Sequence, residues 1–194
     1  MDLMVKSVHS QTTEAHSETT IAHVVEDSFD SLNLTFTEIT EDEFSNYIEA
    51  YTETTALHCT FSKLGLREDT KCDEICETYL TELSSGKNMT LPCDYDVGIL
   101  GVSFSPSCTK LIVCSSYDGP EYHEYYNYRA EFYLYNVNGN NGLESLLPAY
   151  GFGSKEWSIA DYVWITDHEL GLKVYSGNGF EPEYQFVKAS IPTE

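Results

Sequence analysis

Residues 98–119, GILGVSFSPSCTKLIVCSSYDG, contain two apolar runs separated by residues that favour turns. The first run begins one residue before the quoted stretch and covers residues 97–104. The second covers residues 109–115. Both are short, rich in β-branched and aromatic side chains, and bounded by Ser, Pro or Gly, which is typical of β-strands. The segment therefore predicts a β-hairpin.

Runs of the same character follow along the rest of the chain. They cover residues 129–137, 157–166, 170–175 and 184–191, and Asn-Gly and Gly-rich connections separate them. Successive strands at close spacing favour antiparallel neighbours. We expect a mostly antiparallel meander of about six strands over residues 95–191.

The hairpin segment resembles one blade hairpin of a β-propeller repeat, in which a strand ending in Phe-Ser-Pro is followed by a turn and a second apolar strand. Residues 161–179, DYVWITDHELGLKVYSGNG, loosely resemble the same pattern. A closed propeller needs at least four blades of ~40 residues each, and the β-rich half has only about 100 residues. The resemblance therefore implies two related hairpins in one sheet.

The N-terminal half begins with a different pattern. Leu32, Leu34 and Phe36 alternate with polar residues, which predicts a half-buried strand. Thr40 and Glu43 then have the spacing of a capping box, in which each side chain bonds the other residue's backbone amide. Apolar residues follow at helical spacing, so we expect a helix to about Ala56. Its apolar stripe consists of Phe44, Tyr47, Ile48 and Tyr51.

A second helix is predicted from about Arg67 to Leu83, because Cys72, Ile75, Cys76 and Tyr79 recur at helical spacing. The expected fold class is therefore α+β, with two N-terminal helices packed on a C-terminal sheet of about six strands. We expect a flexible polar leader over residues 1–20 and one domain over residues 21–194, helical to about residue 92.

The charge of the chain is strongly one-sided. Ten Lys and Arg residues stand against 32 Asp and Glu residues, giving a net charge of −22. Such a field repels nucleic-acid phosphates and anionic membrane surfaces, and it attracts cationic proteins. We therefore expect a basic protein partner, and neither a nucleic acid nor a membrane; acidity that serves only solubility is the alternative.

Six cysteines lie between residues 59 and 114, and we expect buried free thiols at least as readily as a disulfide framework. Cys72 and Cys76 have a spacing that allows a metal pair, a disulfide or a core position, and their place on the apolar stripe favours the core position. Asp167, His168 and Glu169 are acid and imidazole side by side, but their place between two strands favours a hairpin turn. We expect no metal and no cofactor.

The segment from Tyr117 to Tyr135 holds seven of the 15 tyrosines, interleaved with carboxylates. Tyrosine offers a rigid ring and a hydroxyl at low entropic cost, a combination enriched at protein-recognition surfaces. Tyr133 and Tyr135 fit a strand and are expected to be structural. The predicted partner-binding residues are Tyr117, Asp118, Glu121, Tyr122, Glu124, Tyr125, Tyr126 and Tyr128.

Catalytic sequence motifs such as a nucleophile elbow, a phosphate-binding loop or a zinc-protease helix are absent. We therefore expect a binding protein and not an enzyme. Its size, acidity and aromatic segment resemble, in style, the acidic bacterial immunity proteins that neutralise toxins, which implies an inhibitor of a cationic toxin or effector. A secreted or periplasmic ligand- or glycan-binding module and a hydrolase with a dispersed carboxylate site are the alternatives.

The N-terminal sequence lacks the basic and apolar regions of a secretory signal. We expect a cytoplasmic protein, or a periplasmic or secreted one if a signal peptide has been removed. The sequence leaves the oligomeric state open.

Overall fold

A computed structural model describes residues 19–20, 29–55, 58–72, 76–93, 98–117, 129–178 and 181–192. Within these ranges the chain forms three β-sheets, of five, five and three strands, and one α-helix. The predicted pair of helices on one six-stranded sheet is therefore wrong. Of the predicted leader, Thr19 and Thr20 form a strand, and residues 1–18 lie outside the described ranges.

The helix and strands follow one another along the chain in this order: β1 (Thr19–Thr20), β2 (Asp30–Ser31), β3 (Leu34–Glu38), α1 (Glu41–Thr55), β4 (Leu66–Cys72), β5 (Cys76–Glu82), β6 (Asn88–Thr90), β7 (Gly98–Phe104), β8 (Lys110–Tyr117), β9 (Arg129–Val137), β10 (Leu146–Ser154), β11 (Ser158–Thr166), β12 (Glu169–Asn178) and β13 (Glu181–Ser190).

The predicted meander is divided between two sheets. The front sheet has the strand order β1-β3-β13-β12-β11, and the middle sheet has the order β2-β10-β9-β8-β7. All neighbours in these two sheets are antiparallel except β10 and β2. All six predicted strands are present, but β7, β8 and β9 belong to the middle sheet, and β11, β12 and β13 belong to the front sheet. The two related hairpins therefore lie in different sheets, not in one.

The front and middle sheets face each other across the larger core. Alternate residues of each strand point into it, as the two-residue period of a strand requires. Trp164 of the front sheet is 1% exposed, and Phe132 and Phe152 of the middle sheet are 1% and 0% exposed. The other buried members are Leu32, Leu34, Ile112, Cys114, Ala130, Leu134, Ile159, Leu170, Leu172, Val174, Ala189 and Ile191.

A second core lies on the opposite face of the middle sheet. There the back sheet, with the order β4-β5-β6, contributes Leu66 and Leu80. Val113 and Tyr133 of the middle sheet pack in the same cluster as these two leucines. The middle sheet is therefore covered on both faces, and its central strands have no solvent-facing side.

The predicted first helix is confirmed. The Glu43 amide donates to Thr40 Oγ1 at 3.2 Å, and the Thr40 amide donates to Glu43 Oε2 at 2.8 Å, as a capping box requires. The helix lies on the outer face of the front sheet, where Phe44 is buried. A Cβ atom at Gly171 would lie 3.3 Å from the Phe44 ring, so the glycine permits this close approach.

The predicted second helix is wrong, because residues 66–72 and 76–82 pair as the antiparallel strands β4 and β5 of the back sheet. The pairing is supported by side chains across the strands, because the Thr70 and Thr78 hydroxyls lie within hydrogen-bonding distance, at 3.2 Å. Thr81 also donates to Asp69 at 2.8 Å. Threonine has a high strand propensity. These cross-strand hydrogen bonds therefore favour a hairpin over the predicted helix, whose apolar stripe depended mainly on two cysteines.

Those two cysteines are bonded to each other. Cys72 lies opposite Cys76 across the hairpin, with the Cα atoms 4.0 Å apart, and both residues are exposed. A second disulfide joins Cys59 to Cys108 across 49 residues of sequence. The expected core position for Cys72 and Cys76 is therefore wrong, and disulfide-bonded sulfurs are not available to a metal.

The two disulfides should differ in their contribution to stability. Closing a loop of about 50 residues removes about 4 kcal/mol of unfolded-state entropy, whereas a loop of about five residues removes about 2 kcal/mol. Cys59→Ala/Cys108→Ala should therefore lower the free energy of unfolding about twice as much as Cys72→Ala/Cys76→Ala. Urea denaturation of both variants measures this, and an equal or reversed order would contradict the pairing.

Candidate partner-binding surface

The predicted tyrosine segment joins two neighbouring strands. Tyr117, the last residue of β8, pairs with Arg129, the first residue of β9. The other predicted binding residues, from Asp118 to Tyr128, lie outside the described residues. The structure therefore fixes where this segment leaves and re-enters the middle sheet, which we call the tyrosine end of the sandwich.

Tyr133 and Tyr135 are structural, as predicted. They are 1% and 3% exposed, and both rings pack edge-on against Phe29 at 5.3 and 5.2 Å between centroids. They belong to the core between the middle and back sheets. These two tyrosines are unavailable to a partner, so the candidate surface ends before them.

Two further tyrosines, which the sequence reasoning missed, lie at the tyrosine end on the outer face of the front sheet. Tyr175 and Tyr184 are directly opposite each other on β12 and β13, with ring centroids 5.9 Å apart. Tyr184 is 50% exposed. The Lys173 ammonium lies 4.5 Å from the centre of the Tyr184 ring, a cation–π distance.

The position of this pair follows from the strand register. Tyr175 pairs with Ser158, and the amide of the next residue, Ile159, donates to Ser116 Oγ at 2.8 Å. Ser116 immediately precedes Tyr117, where the predicted segment begins. The hairpin spacing between Tyr175 and Tyr184 could have shown that they are opposite each other. Only the contact between the sheets shows that they lie at the same end of the sandwich as residue 117.

Exposed carboxylates dominate helix α1. Glu41, Asp42, Glu43, Glu49 and Glu53 are all exposed, and the helix contains no Lys or Arg. Hydrogen bonds from the Thr40 amide and hydroxyl lower the pKa of Glu43. Since ten basic residues cannot pair one-to-one with 32 acids, at least two thirds of the carboxylates have no cation of their own.

A polar cluster around Ser103 holds the helix and both sheets together near one edge. Trp164 Nε1 donates to Ser103 Oγ at 3.1 Å, and the hydroxyls of Tyr51 and Tyr162 also hydrogen-bond the Ser103 side chain. Tyr51 donates to the Phe104 carbonyl at 2.7 Å. Burial raises the pKa values of both tyrosines, so they remain protonated and act as donors.

The triplet Asp167–Glu169 forms the predicted turn between β11 and β12. Asp167 Oδ1 accepts a hydrogen bond from the Ser107 amide at 3.0 Å, and Glu169 forms an ion pair with Lys188 at 2.9 Å. Burial raises the pKa of Asp167, but hydrogen bonds from Ser107 and Ser105, together with the nearby His168, lower it overall. Both carboxylates thus have structural partners, as a turn at the end of a sandwich requires.

In the described ranges no group of three or more His, Cys, Asp or Glu side chains has the geometry to hold a metal ion.

The helix of the described part is too short and polar to cross a bilayer.

Comparison of the chain with protein-family models, with curated proteins and with solved structures gives no significant match.

The Ser103 cluster depends on a glycine at position 101. A Cβ atom there would lie 2.9 Å from the Tyr162 hydroxyl oxygen and 3.2 Å from its ring, so the ring would have to move. We expect Gly101→Ala to lower the free energy of unfolding by about 1–3 kcal/mol, the usual cost of overpacking. Thermal or urea denaturation measures the change.

Gly98→Ala is the matched control on the same strand, because nothing lies within 4 Å of a Cβ atom at Gly98. Its stability should stay within about 0.5 kcal/mol of the parent protein. Equal losses in the two variants would show that Tyr162 does not pack against residue 101.

Proposed function

We propose that this chain is an acidic binding protein that occludes a cationic protein, in the manner of an immunity protein that neutralises a toxin or effector. The observation that carries the proposal is the charge of −22, part of which lies on helix α1, whose charged residues are all carboxylates. Such a surface attracts a basic partner over a distance comparable to the Debye length, about 8 Å at physiological salt.

Charge that is spread over a molecule speeds association but selects no particular partner. Selection requires a local surface that buries rigid side chains, and Tyr and Trp are the residues most enriched at such positions. The tyrosine end provides the candidate. It combines the predicted segment Tyr117–Tyr128 with Tyr175 and the half-exposed Tyr184.

The mechanism has two separable parts. The carboxylates raise the association rate constant, and the tyrosines lower the dissociation rate constant by packing into the partner's cleft. Cationic side chains of the partner are also suited to the exposed ring faces, as Lys173 already demonstrates within this chain.

The kinetic test begins with a partner identified by affinity capture on the immobilised chain, followed by surface-based rate measurements with the purified partner. We expect the association rate constant to fall at least about ten-fold between ~0.05 and ~0.5 M salt. Glu49→Gln/Glu53→Gln and the remote pair Glu77→Gln/Glu144→Gln should slow association by similar factors, because each removes two exposed charges from the same overall field.

Tyr125→Ala/Tyr126→Ala should instead raise the dissociation rate constant by about 30-fold or more, the effect of losing one interface hot spot. Tyr79→Ala, a half-buried tyrosine on the back sheet, is the control and should leave it unchanged. Salt-independent association would overturn the charge argument, and an unchanged dissociation rate in the double variant would overturn the tyrosine assignment.

A second candidate function is an extracytoplasmic ligand- or glycan-binding module, and the observation that favours it is the pair of disulfides. Disulfides form and persist in oxidising compartments. Of the six cysteines, four form the two disulfides and Cys93 and Cys114 retain thiols, so protein purified from its natural source should titrate two thiols when denatured without reductant. Six thiols would exclude this candidate and would restore the cytoplasmic expectation.

A further inference from the structure

A polar cleft lies at the end of the sandwich opposite the tyrosine end. It has a volume of about 520 Å³ and lies where β8, β9 and β10 meet the turn between β11 and β12. Its polar lining includes Lys110, Asn136, Asn138, Thr109 and His168, and none of the described residues that line it is Asp or Glu. We call it the Lys110 cleft.

The position of the Lys110 ammonium group is defined. Its Nζ donates to Asn136 Oδ1 at 3.1 Å, on the strand directly opposite. The backbone of Lys110 is fixed in turn, since its amide donates to Ser105 Oγ at 3.1 Å and its carbonyl accepts from the Ser105 amide at 2.9 Å. An ammonium group has three protons, so two remain for a ligand.

The opposite wall of the cleft, at His168, is also fixed by hydrogen bonds. The His168 carbonyl accepts a hydrogen bond from the Ile191 amide at 2.8 Å, and the neighbouring carboxylate of Asp167 is engaged by the Ser107 amide. The Nδ1 atom of His168 is buried and has no hydrogen-bond partner within the described residues. The imidazole ring therefore adds a polar group to this wall of the cleft.

The lining is therefore rich in donors, and it has one full positive charge. Tyr150 and Pro192 add two rings that a ligand's carbon skeleton can contact. A single lysine balances a monoanion, whereas a phosphate dianion would leave excess negative charge in a protein of net charge −22. Carboxylates also form the short, charge-assisted hydrogen bonds that an ammonium group favours.

We propose that the Lys110 cleft binds a small molecule through a single carboxylate group. The site is distinct from the tyrosine end, and the proposal does not depend on the binding of a protein partner.

Three sugars that differ only at C6 test the chemistry directly, namely glucuronate with a carboxylate, glucose with a hydroxymethyl group and glucose 6-phosphate with a dianion. Each is titrated into the full chain while backbone amide NMR shifts are followed. Glucuronate should give saturable shifts at Lys110, Asn136 and His168, with an affinity at least about ten-fold higher than that of either other sugar.

Lys110→Met should weaken glucuronate binding at least about ten-fold, because it keeps the apolar stem and removes the charge. Lys63→Met is the matched control, as Lys63 lines a neighbouring cleft and donates to the His58 carbonyl. Unchanged amide shifts at the Ser103 cluster verify that each variant is folded. If Lys110→Met fails to fold, the comparison of the three sugars on the parent protein alone decides.

Tighter binding of glucose 6-phosphate, equal binding of glucose, equal effects of the two lysine variants, or the absence of saturable shifts would each overturn the proposal.

Discussion

The structure depends on the burial of the middle sheet on both faces. In β8, Leu111 and Val113 point toward the back sheet while Ile112 and Cys114 point toward the front sheet, and all four are 0% exposed. Burying apolar side chains on both faces of β8 stabilises the packing of all three sheets. At one edge of the molecule, β7 and β11 are the outermost strands of their sheets. The Ser103 cluster joins these two strands to the helix.

This burial explains which parts of the fold the sequence predicts. A strand with two buried faces appears as a continuous apolar run, such as LIVC or FYLY, and such a run is recognisable as a strand without any alternation. The capping box at Thr40 is equally local, since residues three apart satisfy each other's amides. Both features were predicted because neighbouring residues decide them.

The errors concern contacts between residues distant in sequence. The sequence locates six strands. An apolar run does not indicate whether the next run belongs to the same sheet or to a sheet packed against it, so the sequence predicts one meander where two sheets exist. In residues 67–83, Cys72 and Cys76 satisfied a helical period, although their bond to each other across a hairpin tip favours strands. Of the candidate site, the segment Tyr117–Tyr128 was predicted from composition. Tyr175 and Tyr184 required the cross-strand register and the bond from Ile159 to Ser116.

One strand of the middle sheet connects the two proposed sites. Strand β8 begins at Lys110, beside the cleft, and ends at Tyr117, where the tyrosine segment begins. Seven residue steps of about 3.3 Å separate these positions by about 23 Å. A small ligand cannot contact both sites at this distance, so each site binds its own ligand. They are nevertheless joined through a strand whose central residues are completely buried, and any mutation that disturbs that strand will affect both. Substitutions that test either site must therefore stay at or beyond the two ends of this strand and leave the run from Leu111 to Ser115 intact.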